Sequence, residues 1–158
     1  MRLLQDDSVI WDRIYVEYNF CPKYSNDSYR WVAPSIPFET FILPEICWNE
    51  EQERLVNSFF KVLDLNGIYA LDWQHDCFNF DPREEIPLGF EYSDEQRQCN
   101  VYFPSYYPNG DYHFFIDNEW KYGLMGHPWL LEIVVTGEEL IQLFKDNSRI
   151  LGIKIKQK

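Results

Sequence analysis

The segment from residue 107 to residue 139, YPNGDYHFFIDNEWKYGLMGHPWLLEIVVTGEE, constrains the fold more than any other part of the chain. Its Asn-Gly pair at positions 109–110 predicts a tight turn, because these residues readily adopt positive φ angles. A strand is predicted from Tyr112 to Asp117, followed by a short turn and a returning strand from Trp120 to Met125. This part of the chain therefore predicts neighbouring antiparallel strands.

The second half of the same segment predicts a further strand and a helix. Leu130 to Val135 is strongly apolar, which is typical of a strand that lies centrally in a sheet. Thr136 and Glu139 have the spacing of a capping box, so a helix is expected to start here and to extend to about Asp146.

The rest of the chain supplies two more helices and several short strands. Apolar residues recur at helical spacing from Ser8 to Tyr18, and Asn49 with Gln52 predicts a capping box for a second helix. Further strands are predicted at Phe38–Leu43 (an edge strand near prolines), Ile68–Trp73 with a continuation toward Phe80, Val101–Phe103, and Ile150–Lys156 (an edge strand protected by lysines). Residues 83–98 are expected to form a long surface loop.

These elements predict one α+β domain over residues 1–158. Its sheet is expected to be mostly antiparallel, with about five to six strands, and to carry two or three helices on one face. A chain of 158 residues is long enough for one domain with a substantial core.

The charge balance limits the classes of partner. The chain has 26 acidic and 14 basic residues, for a formal net charge of −12. Such a charge argues against binding to nucleic acid phosphates and to anionic membrane surfaces, both of which require lysine and arginine. It favours a basic protein partner, with association that depends on salt.

The cysteines and the N-terminus predict a cytoplasmic protein. The four cysteines contain no C-x-x-C pair, so the sequence does not support a zinc ribbon or a thioredoxin-type motif. The N-terminus, MRLLQDDSVIWDR, carries charges too early for a secretory signal, and no apolar run reaches the length of about 18 residues needed to span a membrane. Reduced thiols are expected.

His127 is the most conspicuous candidate for chemistry, because it lies in the unusual sequence Gly126-His127-Pro128-Trp129. One hypothesis makes His127 a general base or a ligand contact that uses a nearby carboxylate, Asp72 or Asp111. The other interprets the motif as a rigid corner between two strands, with His127 bonded to a backbone carbonyl.

No cofactor or metal site is predicted. His75, Cys77, His113 and His127 are possible ligands, but no second closely spaced pair completes a typical structural zinc site. Glycine-rich phosphate loops, G-x-S-x-G and H-E-x-x-H motifs are also absent from the sequence.

The best candidate for a protein-binding surface is an acidic stretch with interleaved aromatic residues. Aromatic anchors surrounded by carboxylates suit a basic partner. The predicted binding residues are Phe80, Asp81, Glu84, Glu85, Phe90, Glu91, Tyr92, Asp94 and Glu95.

Three sequence elements resemble a known family. YALDWQH, YYPNGDYHFFID, and GHPW followed by an apolar strand and GEEL are together similar to the bacterial DUF2716 family (domain of unknown function 2716), common in Firmicutes. The similarity extends from about Trp11 to Phe144, and the Asn-Gly-Asp-Tyr and Gly-His-Pro-Trp elements are its most specific parts. It implies one family domain, and it implies no activity.

Two functional hypotheses follow from the sequence. The first is an acidic cytoplasmic protein-binding module, such as an immunity protein or antitoxin that neutralises a basic bacterial toxin. It is motivated by small size, high acidity, many aromatic residues and the absence of a catalytic motif. The second is a small enzyme or small-ligand-binding protein that uses His127 with Asp72 or Asp111.

Overall fold

An eight-stranded sheet forms the centre of the protein in the computed structural model, which describes residues 1–20 and 34–157. Its strands are β1 (Arg2–Leu3), β2 (Phe38–Ile42), β3 (Ile68–Asp72), β4 (Cys77–Phe80), β7 (His113–Asp117), β8 (Gly123–His127), β9 (Glu132–Thr136) and β10 (Lys154–Ile155). They lie in the order β1-β4-β3-β7-β8-β9-β2-β10, and each neighbouring pair is antiparallel. The α+β class and the antiparallel sheet are therefore confirmed.

A second, two-stranded sheet joins a segment of the predicted loop to the strand predicted at Val101–Phe103. β5 (Glu91–Asp94) pairs with β6 (Cys99–Tyr102) as an antiparallel hairpin. A short 3-10 turn at Pro82–Glu84 precedes it. The prediction of a loop over residues 83–98 therefore holds only in part, because β5 lies within it, and the predicted number of strands was too low.

Four helices complete the described part of the fold: α1 (Ser8–Glu17), α2 (Glu50–Val62), α3 (Glu138–Asp146) and α4 (Ser148–Leu151). The start of α2 is the capping box that the sequence predicts. The Asn49 side chain accepts from the Gln52 amide at 2.9 Å, and the Gln52 side chain accepts from the Asn49 amide at 2.9 Å. No helix among the described residues is long and apolar enough to span a bilayer.

The helices lie on both faces of the sheet, which corrects the prediction that they share one face. Trp11 and Ile14 of α1 pack on the layer that contains Phe114 and Met125, and the Trp11 and Phe114 rings contact edge to face at 5.4 Å. We call this side the α1 face. The opposite side, the α2–α3 face, is covered by apolar residues of α2 and α3 such as Phe144. Alternate residues of each strand face the two layers, which is why β7, β8 and β9 are buried along their whole length.

The predicted capping box at the start of α3 is absent. The cap residue is Gly137, at φ 91°, and its helix start has no side-chain cap bond. The physical reason is that β9 continues through Thr136, which pairs with Phe38 on one side and Gly123 on the other. Thr136 is therefore a fully buried strand residue and does not reach the helix.

Two predicted strands differ from the structure in place or length. β2 was expected at an edge but lies between β9 and β10, because the short β10 covers its outer side. The strand that begins at Ile68 ends at Asp72, where the chain turns and returns as β4. The His75 amide donates to the Asp72 carbonyl at 3.1 Å within this turn.

Candidate functional site

Two aspartates and two histidines meet where β3 ends and β7 begins. Asp72 is the last residue of β3 and is the cross-strand partner of His113, the first residue of β7. His75 lies in the turn after β3, and Asp111 immediately precedes β7. Because paired strands run antiparallel, the end of one strand and the start of the other lie side by side. We call Asp72, His75, Asp111 and His113 the Asp–His cluster.

His75 lies between the two carboxylates. Its Nδ1 atom is 2.9 Å from Oδ1 of Asp72 and 3.5 Å from Oδ2 of Asp111. The side chains of Asp72 and Asp111 are 15% and 5% exposed, whereas that of His75 is 63% exposed. The cluster is therefore a nearly buried carboxylate pair with a solvent-accessible imidazole at its mouth.

In each carboxylate, one oxygen lies near His75 and is called the inner oxygen, and the other is called the outer oxygen. Neighbouring groups hold the outer oxygen of each. His113 Nε2 lies 3.3 Å from Oδ2 of Asp72, and its other ring nitrogen, Nδ1, is 2.8 Å from the Ser105 carbonyl oxygen, to which it donates. The Tyr112 amide donates to Oδ1 of Asp111 at 2.7 Å. These bonds fix both carboxylates before any ligand binds.

Asp72, His75 and Asp111 differ in their affinity for protons. Burial raises the pKa of Asp111, and the negative charge of Asp72 raises it further. Burial alone would also raise the pKa of Asp72, but hydrogen bonds and charge from His113 and His75 outweigh it and lower that pKa. The bond to Asp72 raises the pKa of His75. The site therefore attracts a proton or another cation.

His127 lies on the other side of the sheet from Asp72. Residues 123, 125 and 127 of β8 point to the α1 face, where Met125 is buried, whereas Ala70 and Asp72 of β3 point to the α2–α3 face. The sequence hypothesis that joins His127 to Asp72 or Asp111 pairs residues that the structure does not bring together. The aspartates contact His75 and His113 instead.

The His127 side chain is fully buried and is bonded within the corner that joins β8 to β9. Its Nδ1 atom accepts from the Trp129 and Leu130 amides at 3.2 and 3.1 Å. Nε2 lies 3.5 Å from the Tyr112 hydroxyl. Burial lowers the pKa of His127 to about 4, so the ring is neutral near pH 7.

The family model described as "Protein of unknown function (DUF2716)" matches residues 3–141. The chain belongs to the DUF2716 family. It is also 31% identical over 154 residues to the uncharacterized protein YxiI of Bacillus subtilis (strain 168), an alignment that covers 89% of this chain and 90% of YxiI. No solved structure matches the chain. The family resemblance inferred from the sequence is confirmed.

The two most specific family elements meet in the structure. A Cβ atom added at Gly126 would lie 2.7 Å from Cβ of Pro108, the proline that opens the Pro-Asn-Gly turn. Gly126 is therefore required for the close approach of that turn to β8. Packing alone therefore explains why the Asn-Gly-Asp-Tyr and Gly-His-Pro-Trp elements occur together.

An open cavity of about 440 Å³ lies between α2 and the loop that follows β4. Among the described residues, three carboxylates line it, those of Glu50, Glu53 and Glu85, and Arg54 is the single basic one. Its apolar walls are Phe80, Ile86, Pro87, Leu88, Phe103 and Pro104. We call it the acidic cavity.

Glu53 is the deepest of these carboxylates. It is 7% exposed, and its two oxygens accept from the Tyr106 and Tyr107 amides at 2.8 and 3.0 Å. Burial raises its pKa to about 7. The sequence assigned Glu50 and Glu53 only to the helix N-terminus, because nothing local predicts that residues 85–89 and 103–106 pack beside them.

The predicted binding residues differ in their exposure and in whether their charges already have partners. Phe80 is 3% exposed and belongs to the core, although it reaches the cavity wall. Several carboxylates already have partners: Asp81 pairs with Arg83, Glu84 with the N-terminal amine, Glu85 with Lys61, and Asp94 with Arg97. Glu91 and Glu95 are exposed, and Phe90 and Tyr92 are half-buried.

None of the three described cysteines lines the acidic cavity or belongs to the Asp–His cluster. Cys47, Cys77 and Cys99 are free, and Cys21 lies outside the described residues. Burial raises the pKa of Cys77, whose Sγ lies 3.7 Å from the Asp72 carbonyl oxygen, so it remains a thiol.

Proposed function

We propose that the protein is a binding module for a basic protein, and that the acidic cavity receives a lysine or arginine side chain of that partner. The observation that supports it best is the combination of apolar walls with a rim of carboxylates in one open cavity. Lysine and arginine have the complementary shape, since their methylene stems pack on apolar surface while the charged end remains accessible.

The surface around the cavity adds to this attraction. Residues 81–95 contain six acidic side chains and one arginine, a net charge of −5. The ion pairs at the rim, Glu50 with Arg54 at 3.3 Å and Glu85 with Lys61 at 2.5 Å, are exposed. Exposed pairs of this kind contribute little stability, so a partner's cation can replace them at small cost.

Within this class, an immunity protein that neutralises a basic toxin in the cytoplasm is the most specific form of the proposal. A nuclease is such a toxin, because it needs a positive surface to bind phosphates. An acidic inhibitor can cover that surface and gain a fast, salt-dependent rate of association. The net charge of −12 supports this form of the proposal.

The alternative hypothesis of an enzyme centred on His127 has weaker geometric support. It requires a carboxylate beside His127, whereas Asp72 faces the opposite side of the sheet. The hydrogen bonds from the Trp129 and Leu130 amides also occupy Nδ1, the atom that would act as the base.

The proposal is tested by binding to the purified product of an adjacent toxin-like reading frame. Isothermal titration calorimetry at about 50 and 200 mM salt should give a complex whose affinity falls steeply with salt. The double variant Glu50→Gln/Glu85→Gln should weaken binding by roughly tenfold or more, because both rim charges are lost. Co-expression of the wild type should also protect cells from the toxin better than co-expression of this variant.

A matched control removes the same charge elsewhere. Glu138 is the first residue of α3, as Glu50 is of α2, and Glu119 pairs with Lys121, as Glu85 pairs with Lys61. Glu119→Gln/Glu138→Gln should change the affinity by only about two- to threefold, through net charge alone. Equal losses in the two double variants, or no salt-dependent complex, would contradict the proposal.

A further inference from the structure

We infer that Asp72, His75 and Asp111 form a binding site for a divalent metal ion of the zinc type. One ligand atom from each of these residues lies within 4.8 Å of the other two. This site is distinct from the acidic cavity, and the inference does not depend on the proposed function.

The spacing of the ligand atoms suits direct coordination. Zinc holds nitrogen and oxygen ligands at about 2.0–2.2 Å in a tetrahedron, which places neighbouring ligand atoms roughly 3.3–3.6 Å apart. His75 Nδ1 is 2.9 Å from Oδ1 of Asp72 and 3.5 Å from Oδ2 of Asp111. A cation between these atoms therefore requires only small side-chain shifts.

The surroundings orient the ligands in the way that metal sites require. Each carboxylate has its outer oxygen held by the protein, through His113 for Asp72 and through the Tyr112 amide for Asp111. The inner oxygen of each then faces His75 Nδ1. Hydrogen bonds to the outer atoms of ligating groups are characteristic of metal centres, because they fix the orientation of the ligands.

A cation also accounts for the close approach of the two aspartates. Their side chains are at most 15% exposed, so water screens their repulsion poorly. Two neighbouring carboxylates in such a place need either a shared proton or a positive charge. A protonated His75 is the competing source of that charge, and the experiment must separate it from a metal ion.

The ligand types favour Zn²⁺ over other common ions. One imidazole nitrogen and two carboxylate oxygens suit Zn²⁺, and Co²⁺ binds similar sites more weakly. Mg²⁺ and Ca²⁺ prefer sites made entirely of oxygen. Three protein ligands leave one coordination position for water or another small ligand, which is the pattern of an open zinc site.

The test uses untagged protein, freed of metal with EDTA and then dialysed. Zn²⁺ titration followed by calorimetry should show one site per chain, and Co²⁺ should give the visible absorption of a low-symmetry site. His75→Ala changes an exposed side chain, and Asp111→Asn preserves its size. Each should weaken Zn²⁺ binding by at least about tenfold.

Two controls separate this site from other metal binding. Gln74→Ala alters the neighbouring exposed residue and should leave the affinity within about twofold. Cys47→Ser/Cys99→Ser removes the two exposed thiols of the described residues and should bind Zn²⁺ as the wild type does. Circular dichroism and thermal unfolding without metal establish that each variant is folded.

Two results would overturn the inference. The first is a wild-type protein that binds no Zn²⁺ at stoichiometric concentration. The second is a folded His75→Ala variant that binds Zn²⁺ as tightly as the wild type. The first result would leave the contacts of His75 with Asp72 and Asp111 as interactions without a metal ion, and the second would place the bound Zn²⁺ at other residues.

Discussion

Acidification should destabilise the protein through His127, and this effect can be isolated. Burial lowers the pKa of His127 to about 4, from an ordinary value of 6.5. Between these values the unfolded chain holds a proton on His127 that the folded protein does not hold. The stability due to the neutral ring is therefore complete above about pH 6.5 and is lost as the pH falls toward 4.

The size of this effect follows from the two pKa values of His127. The difference between 6.5 and about 4 corresponds to about 3 kcal/mol of unfolding free energy once the pH is below both values. At about pH 5 the expected loss is about 2 kcal/mol, because the unfolded chain is then almost fully protonated and the folded protein is not. Complete burial of the side chain means that solvent does not screen this cost.

The variant His127→Asn removes the titration while preserving a key contact. The Asn oxygen can take the place of Nδ1 and accept from the Trp129 and Leu130 amides. The loss of the ring should cost about 1–3 kcal/mol at neutral pH, because the ring packs edge to face on Tyr112 at 4.8 Å. That cost does not vary with pH.

The measurement is urea unfolding of both proteins from about pH 7.5 to about pH 5 at constant ionic strength. Glu53 changes its protonation in the same pH range, but its effect on the unfolding free energy has the opposite sign. Its pKa is raised to about 7, so its contribution is present below about pH 4.5 and is lost as the pH rises through 7. This term is the same in both proteins and cancels in their difference.

The free-energy gap between wild type and His127→Asn should therefore shrink by about 2 kcal/mol on acidification. Parallel pH profiles for the two proteins would refute the reasoning. They would mean that the folded protein accepts a proton on His127 as easily as the unfolded chain does.

Two further substitutions test the packing and the helix start. Asn49→Ala should cost about 1 kcal/mol of unfolding free energy, because the side chain that accepts from the Gln52 amide is lost; Asn49→Ser should restore most of it, and equal losses in both would contradict the capping role. Gly126→Ala should cost about 1–3 kcal/mol, because its Cβ would lie 2.7 Å from the rigid ring of Pro108; an unchanged unfolding midpoint would show that the Pro108 turn moves aside freely.

The elements with strong local signals could be predicted from the sequence. α2 has a capping box, three acidic residues in its first turn and a broad apolar face, and each signal predicts the same helix. β7 and β9 have apolar residues at their centres and are buried throughout, because both faces of the sheet are covered. These signals lie within a few residues of one another, so no distant contact is needed to interpret them.

The side of the sheet that each helix covers could not be predicted in the same way. The apolar spacing of α1 shows that the helix is amphipathic, but an amphipathic helix suits either face of a sheet covered on both sides. The tertiary structure decides it, through contacts such as Trp11 with Phe114. The short strand β5 escaped prediction for a related reason, since all four of its residues are exposed or only partly buried and the apolar contrast is weak.

The candidate metal site shows how strand register, more than sequence proximity, determines which side chains can cooperate. The two-residue period of β8 places His127 in the apolar layer under α1, and the same period in β3 and β7 places Asp72 and His113 in the opposite layer. A register shifted by one residue would reverse these assignments but would also bury Asp72 under α1 and expose the apolar residues beside it. Any chemistry that uses Asp72 and Asp111 must therefore use His75 or His113, and of these only His75 is accessible to a ligand from solvent.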